Sequence, residues 1–120
     1  YPTLYRLVPH EEARWEIEKV TEWPEGELLK VGATGAAALL VHRGVLETMY
    51  RAFEFLPNGQ RNNYPWFVEG HVDHAGRPLG EDIAFCIRAQ GLGYPVHVHT
   101  GVEFGHRKYV VLDTKVWKGR

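Results

Sequence analysis

The segment that most constrains this chain is a helix start that carries two adjacent carboxylates. Gly80 precedes Glu81 and Asp82, and the apolar residues that follow recur at helical spacing, so the pattern places both acids in a first helical turn. Gly91 and Gly93 are expected to end the helix, because glycine adopts the left-handed cap conformation without steric cost. Unpaired N–H groups and the helix dipole favour negative charge in a first turn. A carboxylate held there suits a general base, a metal ligand or a binder of sugar hydroxyls, but acidic residues also occur there for helix stability alone.

Composition limits the classes of protein to which the chain belongs. With 120 residues, 44% of them hydrophobic, it is one domain or part of one and has enough apolar side chains for a core. The formal net charge of −1 gives no reason to expect nucleic acid or an anionic membrane as a partner. No apolar run reaches the roughly 20 residues that span a bilayer, and no signal-peptide pattern is present, so we expect a cytoplasmic protein.

Two further expectations come from single residues. The chain begins with Tyr1 rather than methionine, which suggests a processed or excised piece. Its one cysteine, Cys86, shares a predicted helix face with Ile83 and Ile87, so we expect a buried and unreactive thiol.

The remaining pattern favours an α/β fold, because helix and strand signals alternate. Residues 1–27 are polar and interrupted by prolines, and are expected to form an irregular lead-in, although residues 11–20 fit either a short helix or an edge strand. Leu28–Val31 predicts a strand, residues 32–35 a tight glycine passage, and residues 36–41 a buried strand or close-packed segment. Further elements are an amphipathic helix around 46–53, polar loops at 56–64 and 71–78, and short strands at 95–99, 102–104 and 109–112.

Seven histidines raise the question of a metal site. His97 and His99 project from one face of a predicted strand, and His71 and His74 share a loop, but exposed strands and loops also carry histidine without any ligand. His106 follows a glycine at a predicted strand end, where it can reach a metal ion or a phosphate oxygen or be an ordinary surface residue.

Four segments follow one another in an order that is informative as a set. They are a small-residue segment that ends in a basic residue (Val31–Arg43), an aromatic segment (Pro65–Phe67), the acidic helix start (Gly80–Arg88) and a closing strand with a glycine–histidine end (Gly93–Thr100 and Val102–His106). In this order they resemble the C-terminal half of a GT-A-type glycosyltransferase, close to family 2 and its phage and bacterial relatives. The resemblance covers about residues 28–108.

The resemblance implies a fold and a reaction. The fold would be a partial GT-A-like, Rossmann-like mixed sheet with flanking helices, one partial domain over residues 1–120 that lacks the nucleotide-binding half. Asp82 would be the catalytic base that deprotonates an acceptor hydroxyl, and Glu81 would bind acceptor or donor hydroxyls. His106 would hold a divalent metal, Mn²⁺ or Mg²⁺, that neutralises the departing diphosphate. The implied substrate-binding residues are Gly35, Arg43, Trp66, Arg107 and Lys108, with Trp66 as a face for sugar stacking.

One departure from the family pattern shapes the expected partners. No Asp-x-Asp metal motif occurs in the 120 residues. Besides a nucleotide-sugar donor and a hydroxyl acceptor, we therefore expect a missing N-terminal half or self-association, and no transfer by the isolated chain. Two other hypotheses remain: an inert structural or assembly domain, and a non-catalytic metal- or carbohydrate-binding module that uses the four histidines of the two pairs.

Overall fold

A computed structural model describes residues 4–9, 14–36, 38–56, 58–68 and 71–102 of the chain. These residues form a small mixed α/β structure of two antiparallel sheets and two helices, which confirms the fold class in its coarse form. In chain order the elements are β1 (Leu4–Pro9), β2 (Trp15–Lys19), β3 (Leu28–Val31), β4 (Ala33–Thr34), α1 (Arg43–Ala52), α2 (Glu81–Gly91) and β5 (Val96–His99).

The strands pair in a different way from the expected mixed sheet. One sheet has the order β2–β1–β4 and the other pairs β3 with β5, and every pairing between these strands is antiparallel. Among the described residues, parallel pairing is limited to an isolated bridge between Trp15 and Asp73. The short connection between β1 and β2 accounts for part of this result, because parallel neighbours need a crossover of a dozen or more residues.

The lead-in segment is the clearest difference from the sequence-based expectation. Residues 1–27 were expected to be irregular, yet they contain β1 and β2, and residues 11–20 supply the edge strand rather than a helix. Leu7 lies opposite Ile17 in the register, so apolar pairing across the two strands outweighs the local effect of the prolines. Pro9 lies at the last position of β1, where a missing N–H is tolerated.

The chain passes from β3 to β4 through Gly32, and this β3–β4 passage packs against the backbone of β1. The N–H of Gly32 donates to the carbonyl of Tyr5 at 2.8 Å, and a Cβ on Gly32 would lie 2.5 Å from the backbone nitrogen of Leu7. Ala33 is completely buried. Residues 36–41 do not form the expected buried strand: their described part lies outside helices and strands, and Leu40 is fully exposed.

Both predicted helices are confirmed, with one change at the end of α2. His42 caps α1 by accepting a hydrogen bond at Nδ1 from the N–H of Gly44, at 3.0 Å. At the end of α2, Gly93 has the left-handed φ of 91° and donates its N–H to the carbonyl of Gln90 at 2.9 Å. Gly91 does not adopt this conformation and is instead the last residue of the helix.

The core lies where α2 packs against β4 and β5 and α1 packs against α2. Cys86 is 1% exposed, as expected, and the burial of α2 extends beyond the predicted face. The buried core residues are Val31, Ala33, Met49, Phe85, Cys86, Ala89 and Val96. In the described part of the chain, neither helix is long and apolar enough to cross a bilayer. Of the strand predicted at 102–104, Val102 is not in a strand, and residues 103–104 lie outside the described residues, as does the strand predicted at 109–112.

Candidate functional site

Asp82 lies in the first turn of α2, as its sequence context predicts. Gly80 is the N-cap and has no side chain to cap the first turn of α2. The negative charge in that turn comes from Glu81 and Asp82. The Oδ1 atom of Asp82 accepts a hydrogen bond from the N–H of Ile83 at 2.8 Å, which fixes the direction of a half-buried carboxylate. Glu81 is exposed, and neighbouring positions on a helix point in different directions, so the two carboxylates do not face each other.

Cys86 places the Asp82 end of α2 beside the small-residue segment. Its Sγ approaches the carbonyl of Thr34 at 3.9 Å, and the hydroxyl of Thr34 lies 3.4 Å from the carbonyl of Gly35. Burial raises the pKa of the Cys86 thiol, and the nearby charge of Asp82 raises it as well, against a lowering by the contact with Thr34. Cys86 therefore joins the N-terminal half of α2 to the small-residue segment, and its thiol stays protonated at neutral pH.

Trp66 is fixed by contacts with both helices. Its indole N–H donates to the carbonyl of Leu46 at 3.0 Å, and one ring face stacks on Tyr50 at a centroid separation of 6.1 Å. The carbonyl of Trp66 accepts a hydrogen bond from Arg88, which lies six residues after Asp82 along α2. The indole is therefore partly used in packing, which reduces the surface that it can offer to a sugar.

Arg43 lies at the start of α1 and is strongly exposed. Its Nε forms an ion pair with the carboxylate of Glu47, one turn later, at 2.8 Å. This contact on the helix surface can be exchanged for a ligand at little cost, because exposed pairs of this kind contribute at most about 1 kcal/mol. The substrate-binding role of Arg43 remains a prediction.

The histidine pairs do not assemble into a metal centre within the described residues, where no group of three or more potential ligands occurs. His97 and His99 are both exposed on β5, and Nδ1 of His99 accepts the N–H of Gly101 at 3.1 Å. His71 is half-buried. Burial is the main cause that lowers the pKa of its imidazole, and the positive charge of Arg88 lowers it further. His106, Arg107 and Lys108 lie outside the described residues, so their implied roles stay predictions.

Asp73 carries a buried carboxylate that the sequence pattern did not single out, and residues of the turn that follows it supply its hydrogen bonds. Its Oδ1 accepts the N–H groups of Ala75 and Arg77, each at 2.9 Å, and its Oδ2 pairs with Nε of Arg77 at 2.8 Å. Its pKa is lowered, chiefly by the backbone N–H of Arg77. Asp73 therefore closes a loop and is not poised for catalysis.

A groove of about 590 Å³ opens between β1, the β3–β4 passage and the C-terminal half of α2. Its lining residues are Arg6, Leu7, Trp15, Lys30, Val31, Gly32, Ile87, Gln90 and Gly91. Asp82, Gly35 and Trp66 do not line this groove, so it is not formed by the site residues that the family resemblance implies.

Comparisons with protein-family models, with curated proteins and with solved structures find no match to this chain. The resemblance to glycosyltransferases therefore rests on the sequence motifs alone.

Proposed function

We propose that this chain is the acceptor-binding and catalytic portion of a GT-A-type glycosyltransferase that acts in the cytoplasm. The observation that carries the proposal is the carboxylate of Asp82, half-buried in the first turn of α2 and directed by the N–H of Ile83. A carboxylate held in one direction in the first turn of a helix has the properties of a general base for a hydroxyl group. The GT-A-like arrangement of the complete enzyme is part of the same proposal.

In the proposed reaction, Asp82 takes the proton of the acceptor hydroxyl as the acceptor oxygen attacks the anomeric carbon of the donor sugar. A new C–O bond forms at that carbon, and the bond to the nucleoside diphosphate breaks with its electron pair leaving on the diphosphate. General-base catalysis of this kind contributes about 10²- to 10⁴-fold to the rate. Glu81, exposed and adjacent in sequence, would hold a hydroxyl of one substrate.

The donor-binding groups are proposed to lie outside this segment, in an N-terminal half or a partner, because the 120 residues contain no Asp-x-Asp motif. A divalent metal, when bound, would neutralise charge on the diphosphate. Its proposed ligand, His106, lies outside the described residues, and the described residues offer no three-ligand group of their own.

The test is sugar transfer by an enzyme that contains this segment together with its donor-binding portion. Asp82→Asn should lower turnover about 100-fold or more with nucleotide-sugar binding largely unchanged, because asparagine keeps the size of the side chain but cannot accept the proton. Glu81→Gln is the matched control and should mainly raise the acceptor KM. The 120-residue chain alone should transfer no sugar, and measurable transfer by it would contradict the division into two portions.

A further inference from the structure

Three aromatic rings form a cluster where the loop after α1 meets the segment before α2. We call Tyr50, Tyr64 and Trp66 the aromatic cluster. Trp66 is packed between the other two: Tyr50 stacks on it at 6.1 Å with an interplanar angle of 26°, and Tyr64 meets it edge-on at 5.7 Å and 86°. Tyr64 remains 59% exposed. The two half-buried members of the cluster, Tyr50 and Trp66, thus support an outer ring that has much of its surface open to solvent.

Planar polar groups border the aromatic cluster. Nη1 of Arg61 lies 3.5 Å from the hydroxyl of Tyr50, and its Nη2 pairs with Oε1 of Glu54 at 2.8 Å. Phe55, itself 60% exposed, bridges to Arg61 across the loop, so it borders the same surface. The surface therefore combines apolar rings with hydrogen-bond donors and acceptors, while the charges of Arg61 and Glu54 cancel.

The loop that carries these groups is held in shape by its own amide side chains. Oδ1 of Asn58 accepts the N–H of Gln60 at 3.0 Å, and Oδ1 of Asn62 accepts the N–H of Tyr64 at 3.2 Å. The N–H of Asn62 also donates to the carbonyl of Glu54, at 2.7 Å. A ligand that binds here meets a preformed surface and loses less free energy in ordering the protein.

We propose that the exposed ring of Tyr64, together with Arg61 and Glu54 at the Tyr50 side of the aromatic cluster, forms a binding subsite for a neutral saccharide. A sugar ring has an apolar C–H face that packs on an aromatic ring and a rim of hydroxyls that pair with planar donors and acceptors. A phosphate or nucleic-acid ligand is favoured by an excess of positive charge, and here the charge of Arg61 is balanced by that of Glu54.

The subsite is linked directly to the helix of the proposed base. Phe67, next to Trp66, stacks on Phe85 at 4.6 Å and 12°, and the carbonyl of Trp66 bonds Arg88. Phe85 and Arg88 follow Asp82 by three and six residues, an axial rise of about 4.5 and 9 Å along α2. Resting on the proposed function, the inference is that the acceptor is a saccharide chain that lies on Tyr64 while one of its hydroxyls reaches Asp82.

The test is titration of the 120-residue chain with maltotriose, cellotriose and chitotriose, followed by NMR shifts of backbone amides. At least one trisaccharide should shift the amides of residues 58–66. Tyr64→Ala should weaken that binding about tenfold, and Tyr64→Phe, which keeps the ring, should stay within about twofold. Leu28→Ala, which removes a different side chain that is 66% exposed, should leave the affinity unchanged.

Two results would overturn the inference: no shift with any of the three sugars, or equal affinity for wild type and Tyr64→Ala. A dispersed amide spectrum of Tyr64→Ala shows that the variant is folded. The outcome is separable from that of the proposed function. Saccharide binding by a protein whose complete form transfers no sugar would leave the subsite in place and remove the enzyme. Sugar transfer by the complete enzyme with an acceptor KM that Tyr64→Ala does not change would support the enzyme and remove the subsite.

Discussion

Replacing Gly32 with alanine should destabilise the protein strongly, because there is no room for a methyl group at this position. A Cβ there would lie 2.5 Å from the backbone nitrogen of Leu7, 2.8 Å from its Cγ and 3.1 Å from the carbonyl carbon of Arg6. Two of these three atoms are backbone, so a rotamer change cannot relieve the contact. β1 and the β3–β4 passage would have to separate, which strains the hydrogen bond from Gly32 to the carbonyl of Tyr5.

The expected cost is about 2–4 kcal/mol. Overpacking of a well-packed site costs about 1–3 kcal/mol, and weakening one backbone hydrogen bond adds about 1 kcal/mol. Gly91 provides the matched control, because it is helical and a Cβ there meets nothing within 4 Å. Gly91→Ala should therefore leave stability unchanged or raise it by up to about 0.5 kcal/mol, because Gly91 is the last residue of α2 and gains only part of the advantage that alanine has over glycine in a helix interior.

Urea denaturation of the three proteins, followed by circular dichroism, measures both changes as shifts in midpoint at constant slope. A Gly32→Ala variant within about 0.5 kcal/mol of wild type would refute the close approach of β1 to the β3–β4 passage. Loss of stability in both variants would show instead that α2 is packed differently around its C-terminus.

Three further predictions follow from the described contacts and from the family resemblance. Cys86 should react slowly with a thiol reagent in the native protein and rapidly in urea, because burial removes access and raises the pKa of its thiol; rapid native labelling would mean that this face of α2 is exposed. Asp73→Asn should destabilise the protein at neutral pH. Because the pKa of Asp73 is lowered from 3.8 in the folded state, the ionised carboxylate stabilises the fold at neutral pH, and this stabilisation is lost below about pH 4 as the carboxylate becomes protonated, so the difference from wild type should shrink there. A difference in stability that does not change with pH would argue against the Asp73 turn. In a complete enzyme, His106→Ala should lower activity and recover part of it at high divalent metal, and unchanged metal dependence would leave His106 without a role in metal binding.

Elements with strong local signals could be predicted from the sequence. The start of α2 is encoded by Gly80 and the two acids after it, and β5 by strict alternation, with Val96 buried and His97 exposed. β1 was not predicted, and β2 was one of two alternatives for residues 11–20, because these strands are stabilised by their pairing with each other and by the pairing of β1 with β4 rather than by a local sequence signal.

The candidate site was predictable to the same extent. The first-turn position of Asp82 depends on residues next to it in sequence, so the sequence predicts it correctly. The indole N–H of Trp66 is bound to the carbonyl of Leu46 in α1, 20 residues earlier in the chain, so nothing local to Trp66 indicated this contact. The amide-rich sequence before Tyr64 was the signal available for the saccharide subsite, and by itself it indicates only a polar loop.

The most direct test of the central claim is the rate of the transfer step itself in a complete enzyme that contains this segment. Single-turnover transfer would be measured for wild type, Asp82→Asn and Glu81→Gln, with donor and acceptor both saturating so that binding does not contribute. If Asp82 is the base, Asp82→Asn should slow this step about 100-fold or more, and Glu81→Gln should change it by less than about tenfold. A transfer step in Asp82→Asn within about twofold of wild type would contradict the account, and an equally large loss in Glu81→Gln would transfer the role of base to Glu81.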